Sequence, residues 1–411
     1  MKLISHAALG AALVLCGASL VTSTPAVAQK KSAQRSLSLS KSERETLVAL
    51  QTAVQKKDVA AATTALAAAQ AAAKGADARY SVAALQLQLG SLTSNKQMQS
   101  EAIDGLIASG AAPADSLPEL YKNQAGLAFE ANNFAKAENA LNQLTQMNPN
   151  DPEALATLAE LRARQKRYPE AVTMLDRSIG IRKAAGQTIP ENWYKRVLAL
   201  AYQGRLVPQS IKASRDLLTA YPNPTNWRDS LLIYLDLAQP DRTTTLDTRR
   251  LMRAAKALAG ERDYAELANT LNRSGYPGEV KALLDEGVAA KMFEPTKAPF
   301  AQLRTAANSK IAEDKSTLPA LEKKATAAAT GGPALDIGDV YYGYGDFAKA
   351  ITFYRAALQK GGVDASLANM RLGMALALSG QKAEAQTAFR AVTGARAELA
   401  NFWLLWLSQR A

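Results

Sequence analysis

The sequence predicts an all-α fold built from repeated helix pairs. Apolar residues make up 48% of the chain, aromatic residues only 6%, and alanine is abundant. No stretch alternates apolar and polar residues over the length of a strand, so the composition favours helices that pack closely through small side chains. The stretches NFAKAENAL, from Asn133, and DFAKAITFY, from Asp346, share one pattern. They indicate that a single unit recurs along the chain.

The first 28 residues have the features of a secretory signal peptide. Lys2 precedes an apolar run over residues 7–21, and Ala26-Val27-Ala28 offers the small residues that a signal peptidase accepts. We expect cleavage between Ala28 and Gln29 and export to the periplasm, with an uncleaved anchor as the alternative. Residues 29–41 are polar and are predicted to form a flexible N-terminal tail.

Cleavage of this leader restricts the chemistry of the mature chain. Cys16 and His6 are the only residues of their types, and both lie in the leader. A mature chain without thiol or imidazole excludes cysteine nucleophiles, Ser-His-Asp triads, and zinc or haem sites built on these ligands. We therefore expect no catalytic residue, no metal and no cofactor.

A frame of about 34 residues accounts for the recurring pattern. Its clearest copies begin at Pro118, Pro152, Glu191, Gly331 and Ser366. Small residues recur at positions 8 and 20, where two helices approach, and bulky residues recur at positions 4, 7, 17 and 24. Ala125 and Ala137 show the small positions in the first copy, and Phe134 and Leu141 show bulky ones.

This pattern resembles the tetratricopeptide repeat family, which implies a right-handed α-solenoid of antiparallel helix pairs. We divide the chain into segments according to how closely each one matches the repeat pattern. They are degenerate helical repeats at 42–117, three repeat units at 118–224, degenerate units at 225–330, two units at 331–399, and a C-terminal capping helix at 400–411.

The resemblance also implies a concave groove, lined by the first helix of each pair, that holds an extended peptide or a partner's helix. Carried over by position, the candidate groove residues are Lys122, Asn123, Phe129, Glu130, Glu160, Arg164, Lys195, Arg196, Tyr202, Gln203, Asp339, Tyr342 and Arg371. The alternative is a solvated inner surface without a dedicated ligand. Chaperone-binding members clamp a C-terminal carboxylate with a Lys/Asn/Arg set, which the matching positions do not reproduce.

Charge supplies a second hypothesis for function. The formal net charge of +12 favours anionic partners such as membrane or cell-wall polymers, and export argues against nucleic acid. Arg249, Arg253 and Lys256 share one helix face, which we predict to be a solvated basic surface. The C-terminal Trp403 and Trp406 are predicted to cover the exposed end of the last repeat.

The sequence therefore predicts a non-enzymatic scaffold that binds a protein or peptide in the cell envelope. The first alternative is a binder of anionic polymers through net charge. A glycan-acting enzyme is a more remote one, because the Glu-Ser pair of a lytic transglycosylase does not occur. The sequence does not specify an oligomeric state.

Overall fold

The computed structural model describes residues 37–410, apart from the side chain of Lys315. The predicted signal peptide and most of the predicted tail lie outside this range. Within it the chain forms twenty α-helices and one 3-10 turn at Gly394–Arg396, and no strand. The prediction of an all-α fold of helix pairs is confirmed. Contacts divide the chain into two compact units, before and after the Thr188–Ile189 bond.

Unit 1, described from residue 37 to 188, consists of four helix pairs. Short turns fold the chain back within each pair. The pairs are α1 (Lys41–Gln55) with α2 (Val59–Ala72), α3 (Ala76–Leu92) with α4 (Lys96–Ala108), α5 (Leu117–Glu130) with α6 (Phe134–Met147), and α7 (Pro152–Arg164) with α8 (Tyr168–Ala184).

Unit 2, described from residue 189 to 410, consists of five helix pairs and two further helices. The pairs are α9 (Glu191–Gln203) with α10 (Val207–Ala220), α11 (Pro224–Ala238) with α12 (Arg242–Ala254), α13 (Gly260–Arg273) with α14 (Pro277–Ala289), α16 (Gly332–Gly343) with α17 (Phe347–Lys360), and α18 (Ala365–Leu378) with α19 (Lys382–Arg390). The further helices are α15 (Phe300–Ala327) and α20 (Ala397–Ser408). The last of the degenerate units predicted within 225–330 would be a helix pair over residues 295–330, whereas the structure has the single helix α15 there.

The turn inside each pair explains the recurring Asn-Phe and Asp-Phe pattern. The residue two places before the phenylalanine has a left-handed backbone, with φ of 58° at Asn132 and 77° at Gly345. The next residue caps the second helix. The Asn133 side chain accepts from the Lys136 N–H at 3.1 Å, and Asp346 accepts from that of Lys349 at 3.1 Å. The left-handed residue ends the first helix and the cap begins the second.

Small residues at position 8 let the two helices of a pair approach. A Cβ atom on Gly338 would lie 2.7 Å from the ring of Tyr354, and one on Gly373 would lie 2.6 Å from the ring of Phe389. Ala125, at the same position of its repeat, is 1% exposed. Large aromatic side chains of the second helix therefore occupy the space that a larger residue on the first helix would need.

The predicted tail is wrong at its C-terminal end. Ser40 caps α1, its N–H donates to Glu43 Oε2 at 2.8 Å, and the Glu43 N–H donates to Ser40 Oγ at 3.3 Å. The Ser38 N–H donates to Asp77 Oδ2 at 2.8 Å, and Leu39 packs against the apolar core of unit 1. Residues 38–41 therefore belong to the fold, because a capping box satisfies the first N–H groups of α1.

Helix α20 packs against both the last helix pair of unit 2 and an early one. Trp403 stacks on Phe389 of α19 with ring centroids 5.7 Å apart, which covers the last pair. On the same helix, Phe402 lies edge-on to Trp227 of α11, at 6.5 Å. The Trp227 indole N–H donates to Gln409 Oε1 at 3.2 Å. The C-terminal aromatic residues therefore also join the last pair of this unit to an early one.

Candidate functional site

The predicted groove residues of unit 1 lie around Phe129, on α5 and α7. The guanidinium carbon of Arg164 is 4.9 Å from the centre of the Phe129 ring, and Glu160 Oε1 is 3.7 Å from Arg164 Nε. Phe129 is half-buried and packs edge-on against Phe134, with centroids 5.9 Å apart. The Arg164 side chain is 49% exposed. A partner can therefore reach a ring and a cation together.

The other predicted residues of α5 are Lys122, Asn123 and Glu130, on the same helix as Phe129. Lys122 is exposed, and Asn123 is half-buried with its amide N–H donating to the Glu119 carbonyl oxygen at 3.0 Å. Glu130 Oε2 lies 3.6 Å from Lys96 Nζ, and both of these side chains are about half exposed, at 47% and 53%. We call the set of six predicted residues the α5–α7 face. Its members are Lys122, Asn123, Phe129, Glu130, Glu160 and Arg164.

Four predicted residues lie on α9 in unit 2, and all four are exposed or half-buried: Lys195, Arg196, Tyr202 and Gln203. Lys195 Nζ is 3.0 Å from Glu191 Oε1. The Tyr202 side chain is 39% exposed. A hydrogen bond to Asp236 raises the pKa of its phenol. Glu191 and Asp236, the partners of Lys195 and Tyr202, both lie in unit 2.

The remaining three predicted residues do not line an open surface. Tyr342 is 5% exposed and Arg371 is 2% exposed, and the Asp339 side chain is 16% exposed. Side chains from α12 cover them, since the guanidinium carbon of Arg250 lies 4.8 Å from the centre of the Tyr342 ring. The expectation of an accessible groove at these positions is wrong, because residues of another repeat fill the space.

These residues belong to a buried charge cluster formed by Asp247, Arg250, Glu279, Asp339 and Arg371. Arg250 Nη1 is 3.0 Å from Asp247 Oδ1, and Arg250 Nε donates to Glu279 Oε2 at 2.9 Å. Arg371 Nη1 lies 3.3 Å from Asp247 Oδ1 and 3.7 Å from Asp339 Oδ1. The cluster joins α12, α14, α16 and α18. Removing one member would leave a buried charge without its partner, which is strongly destabilising.

Burial changes the proton affinity of two carboxyl groups in this cluster. Desolvation raises the pKa of Asp339 to about 6, although Arg250 and two tyrosines favour its charged form. The Tyr354 and Tyr276 hydroxyls donate to Asp339 at 2.7 and 2.9 Å. Desolvation likewise raises the pKa of Asp247 to about 6. Both groups therefore take up protons at a higher pH than exposed aspartates do.

The arginine run of α12 is not the solvated basic face that its spacing predicts. Arg249 Nη2 lies 2.7 Å from Glu266 Oε2, and Arg253 Nε lies 2.8 Å from Glu286 Oε2. The Arg249 side chain is only 15% exposed. Most of the positive charge of this run is therefore compensated within unit 2.

No group of three or more His, Cys, Asp or Glu side chains within residues 37–410 is arranged to hold a metal ion. In the same part of the chain, no helix combines the length and apolar character needed to cross a bilayer. The only His and Cys residues, His6 and Cys16, lie outside it.

Two segments of the chain match the tetratricopeptide repeat family. The first covers residues 128–182, from the end of α5 through α8, and the second covers residues 335–401, from α16 into α20. These two segments are tetratricopeptide repeats. The matched segments contain the Gly338 and Gly373 positions at which the helices of a pair approach. Proteins of this family bind protein partners, and the chain is accordingly a protein-interaction scaffold.

The structures to which this one is similar include tetratricopeptide repeat proteins. A tetratricopeptide repeat protein from Parabacteroides merdae is 16% identical, with a TM-score of 0.30, over 82% of this chain and 100% of its own. The TPR2AB domain of yeast Sti1, in a complex with pHSP90, is 13% identical, with a TM-score of 0.25, over 72% of this chain and 100% of its own. No curated protein sequence matches the chain significantly.

Sequence reasoning missed three members of the charge cluster. Asp247, Arg250 and Glu279 lie on second helices, where the repeat pattern assigns no ligand. The one local signal is the spacing of Asp247, Arg250 and Leu251. It places an acid and a base three residues apart beside an apolar position on the same helix face.

Proposed function

We propose that this protein is a non-catalytic adaptor of the cell envelope that binds an extended protein segment on the α5–α7 face. The observation that carries the proposal is the half-buried Phe129 ring beneath the exposed guanidinium of Arg164. An apolar ring bordered by charges of both signs offers a partner one apolar contact and several polar ones. The residues that supply those charges are Lys122, Glu130 and Glu160.

The ion pairs of this face exchange partners at small cost. Glu160 and Arg164 are separated by 3.7 Å and are 37% and 49% exposed. Exposed pairs of this kind contribute only about 0.2–1 kcal/mol. A partner's carboxylate can therefore replace Glu160 at Arg164, while one of its apolar side chains covers Phe129.

The signal-peptide features of residues 1–28 support the envelope location. The alternative of a polymer binder that acts through net charge draws less support from the structure. Arg249, Arg250 and Arg253 each contact a carboxylate, so the densest arginine run leaves little positive charge unpaired. The exposed α5–α7 face therefore supports binding of a protein segment better than binding of a polymer through net charge.

A pull-down of residues 29–411 from envelope extract, at low and moderate salt, tests the proposal. We expect a small set of proteins to survive moderate salt, because contacts with Phe129 are not screened. The double variant Lys122→Glu, Arg164→Glu should lose them. Arg44→Glu is a matched control, since Arg44 is an exposed arginine of α1 outside the face. Retention of the same proteins by the double variant, or loss of all proteins at moderate salt, would contradict the proposal.

A further inference from the structure

A groove of about 450 Å³ lies in unit 2 and shares no residue with the α5–α7 face. It is formed by the ends of α12, α14, α18 and α20, by the loops that follow α12 and α14, and by Tyr264 of α13. Its apolar lining consists of Ala254, Leu258, Ala290, Met292, Ala377, Leu378 and Trp406. Leu378 is 36% exposed, so an apolar part of this lining faces solvent. The volume is within the range of sites that hold a ligand or a few side chains.

Positive charges surround this apolar lining. The guanidinium carbon of Arg410 lies 4.5 Å from the centre of the Trp406 ring. Lys256 is exposed, and no carboxylate within residues 37–410 forms an ion pair with it. Arg253 is 2.8 Å from Glu286, the one carboxylate of the lining. The groove therefore presents three cations and one anion beside apolar side chains.

We infer that this groove binds an acidic segment of a partner protein that carries a bulky apolar side chain. Carboxylates of the segment lie at Lys256 and Arg410, and its apolar side chain lies against Leu378 and Trp406. Because cations predominate in the groove, charge complementarity requires a negatively charged ligand. A lipid fits less well, because five of the twelve lining residues are polar or charged and would leave an acyl chain against polar groups. The site is separate from the α5–α7 face and gives the scaffold a second point of attachment.

Fluorescence anisotropy with the capped hexapeptide Asp-Glu-Leu-Phe-Asp-Glu, labelled with fluorescein, tests the charge requirement on residues 29–411. We expect Lys256→Glu to weaken binding by about tenfold or more, since it replaces an attraction by a repulsion. Lys310→Glu is the matched control. It changes the net charge equally at an exposed lysine of α15 outside the groove, and it should leave the affinity unchanged within about twofold.

A second pair of variants tests the apolar requirement. Leu378→Gln keeps the size of the side chain but removes its apolar character, and we expect it to weaken binding of the hexapeptide by several-fold. Leu321→Gln alters a comparably exposed leucine of α15, 44% exposed against 36% for Leu378, and should have no effect. A hexapeptide with Ser-Ser in place of Leu-Phe should bind as weakly to the unmodified protein as the original binds to Leu378→Gln.

Three results would overturn the inference. The first is equal weakening by Lys256→Glu and Lys310→Glu, which would show a response to net charge alone. The second is equal binding of the Leu-Phe and Ser-Ser peptides. The third is binding of phosphatidylglycerol vesicles that Lys256→Glu abolishes, with no binding of the hexapeptide, which would assign the groove to a lipid surface. Circular dichroism of each variant establishes that the exposed substitutions leave the fold intact.

Discussion

Glu43 in unit 1 and Asp339 in unit 2 show how local surroundings set the proton affinity of a carboxyl group. Glu43 accepts backbone N–H groups of Gly75, Ser40 and Lys74 at 2.9, 2.8 and 2.9 Å, which lower its pKa to about 2. Desolvation instead raises the pKa of Asp339 to about 6. Protonation in acid therefore destabilises the folded state at Glu43 and stabilises it at Asp339.

The raised pKa of Asp339 predicts that unit 2 becomes more stable in mild acid. Below pH 6 the folded state binds a proton at Asp339, whereas the unfolded state does so only near the ordinary aspartate pKa of 3.8. Stability therefore increases as the pH falls from 7 to 5, by roughly 1 kcal/mol in total over this range for one such group. Urea unfolding followed by tryptophan fluorescence measures this for unit 2, because all four tryptophans lie after residue 188.

The variant Asp339→Asn provides the control for this pH dependence. It removes the titrating group and keeps a carbonyl oxygen that Tyr276 and Tyr354 can contact. The stability of this variant should therefore depend less on pH than that of the unmodified protein. Asp247, whose pKa is also raised to about 6, accounts for the response that remains. A urea midpoint that decreases as the pH is lowered from 7 to 5 in the unmodified protein would contradict the burial of both carboxyl groups.

At the scale of residues, the sequence identified the positions of candidate groove residues but did not predict which of them are exposed to solvent. Phe129 and Arg164 lie together on an accessible face, whereas Tyr342 and Arg371, chosen by the same frame, are buried. Contact with α12 decides the difference, since Arg250 lies against Tyr342 and Asp247 pairs with Arg371, and α12 belongs to a different repeat. A frame that describes one repeat at a time contains no information about such contacts.

At the scale of elements, the helix pairs could be predicted because their signals are local. A left-handed residue such as Asn132 or Gly345, followed by an Asn or Asp cap, ends one helix and begins the next within a few residues. Helix α15 is the exception. Its 28 residues run without a break where the frame placed two helices, since no left-handed turn followed by a cap interrupts the helical pattern there.

The close approach within a pair predicts the effect of adding one methyl group. Gly338→Ala places a Cβ atom 2.7 Å from the Tyr354 ring, and Gly373→Ala places one 2.6 Å from the Phe389 ring. Each should destabilise unit 2 by about 1–3 kcal/mol, because the ring must shift in a packed core. Urea unfolding followed by tryptophan fluorescence measures the loss.

Gly332→Ala is the control for this prediction. No atom lies within 4 Å of the Cβ position at Gly332, near the start of α16. Its effect should stay within about 0.5 kcal/mol. Equal stability of Gly332→Ala and Gly338→Ala would show that position 8 does not set the distance between the helices.

At the scale of the whole molecule, the two units offer different surfaces to a partner. The closure of unit 2 by α20 and the charge cluster occupy much of its interior with the protein's own side chains. Neither feature could be predicted from the sequence, because both depend on how successive pairs rotate rather than on the pattern within a pair. In unit 1 the α5–α7 face stays accessible, which makes it the main candidate for binding.

Photo-crosslinking in intact cells tests the central claim, that a protein partner occupies the α5–α7 face in the envelope, most directly. p-Benzoylphenylalanine at position 122 replaces an exposed side chain of this face, and the same substitution at position 44 serves as the control. We predict a discrete crosslinked protein in the periplasmic or membrane fraction from position 122 and none from position 44. No crosslink from position 122, or the same product from both positions, would contradict the claim.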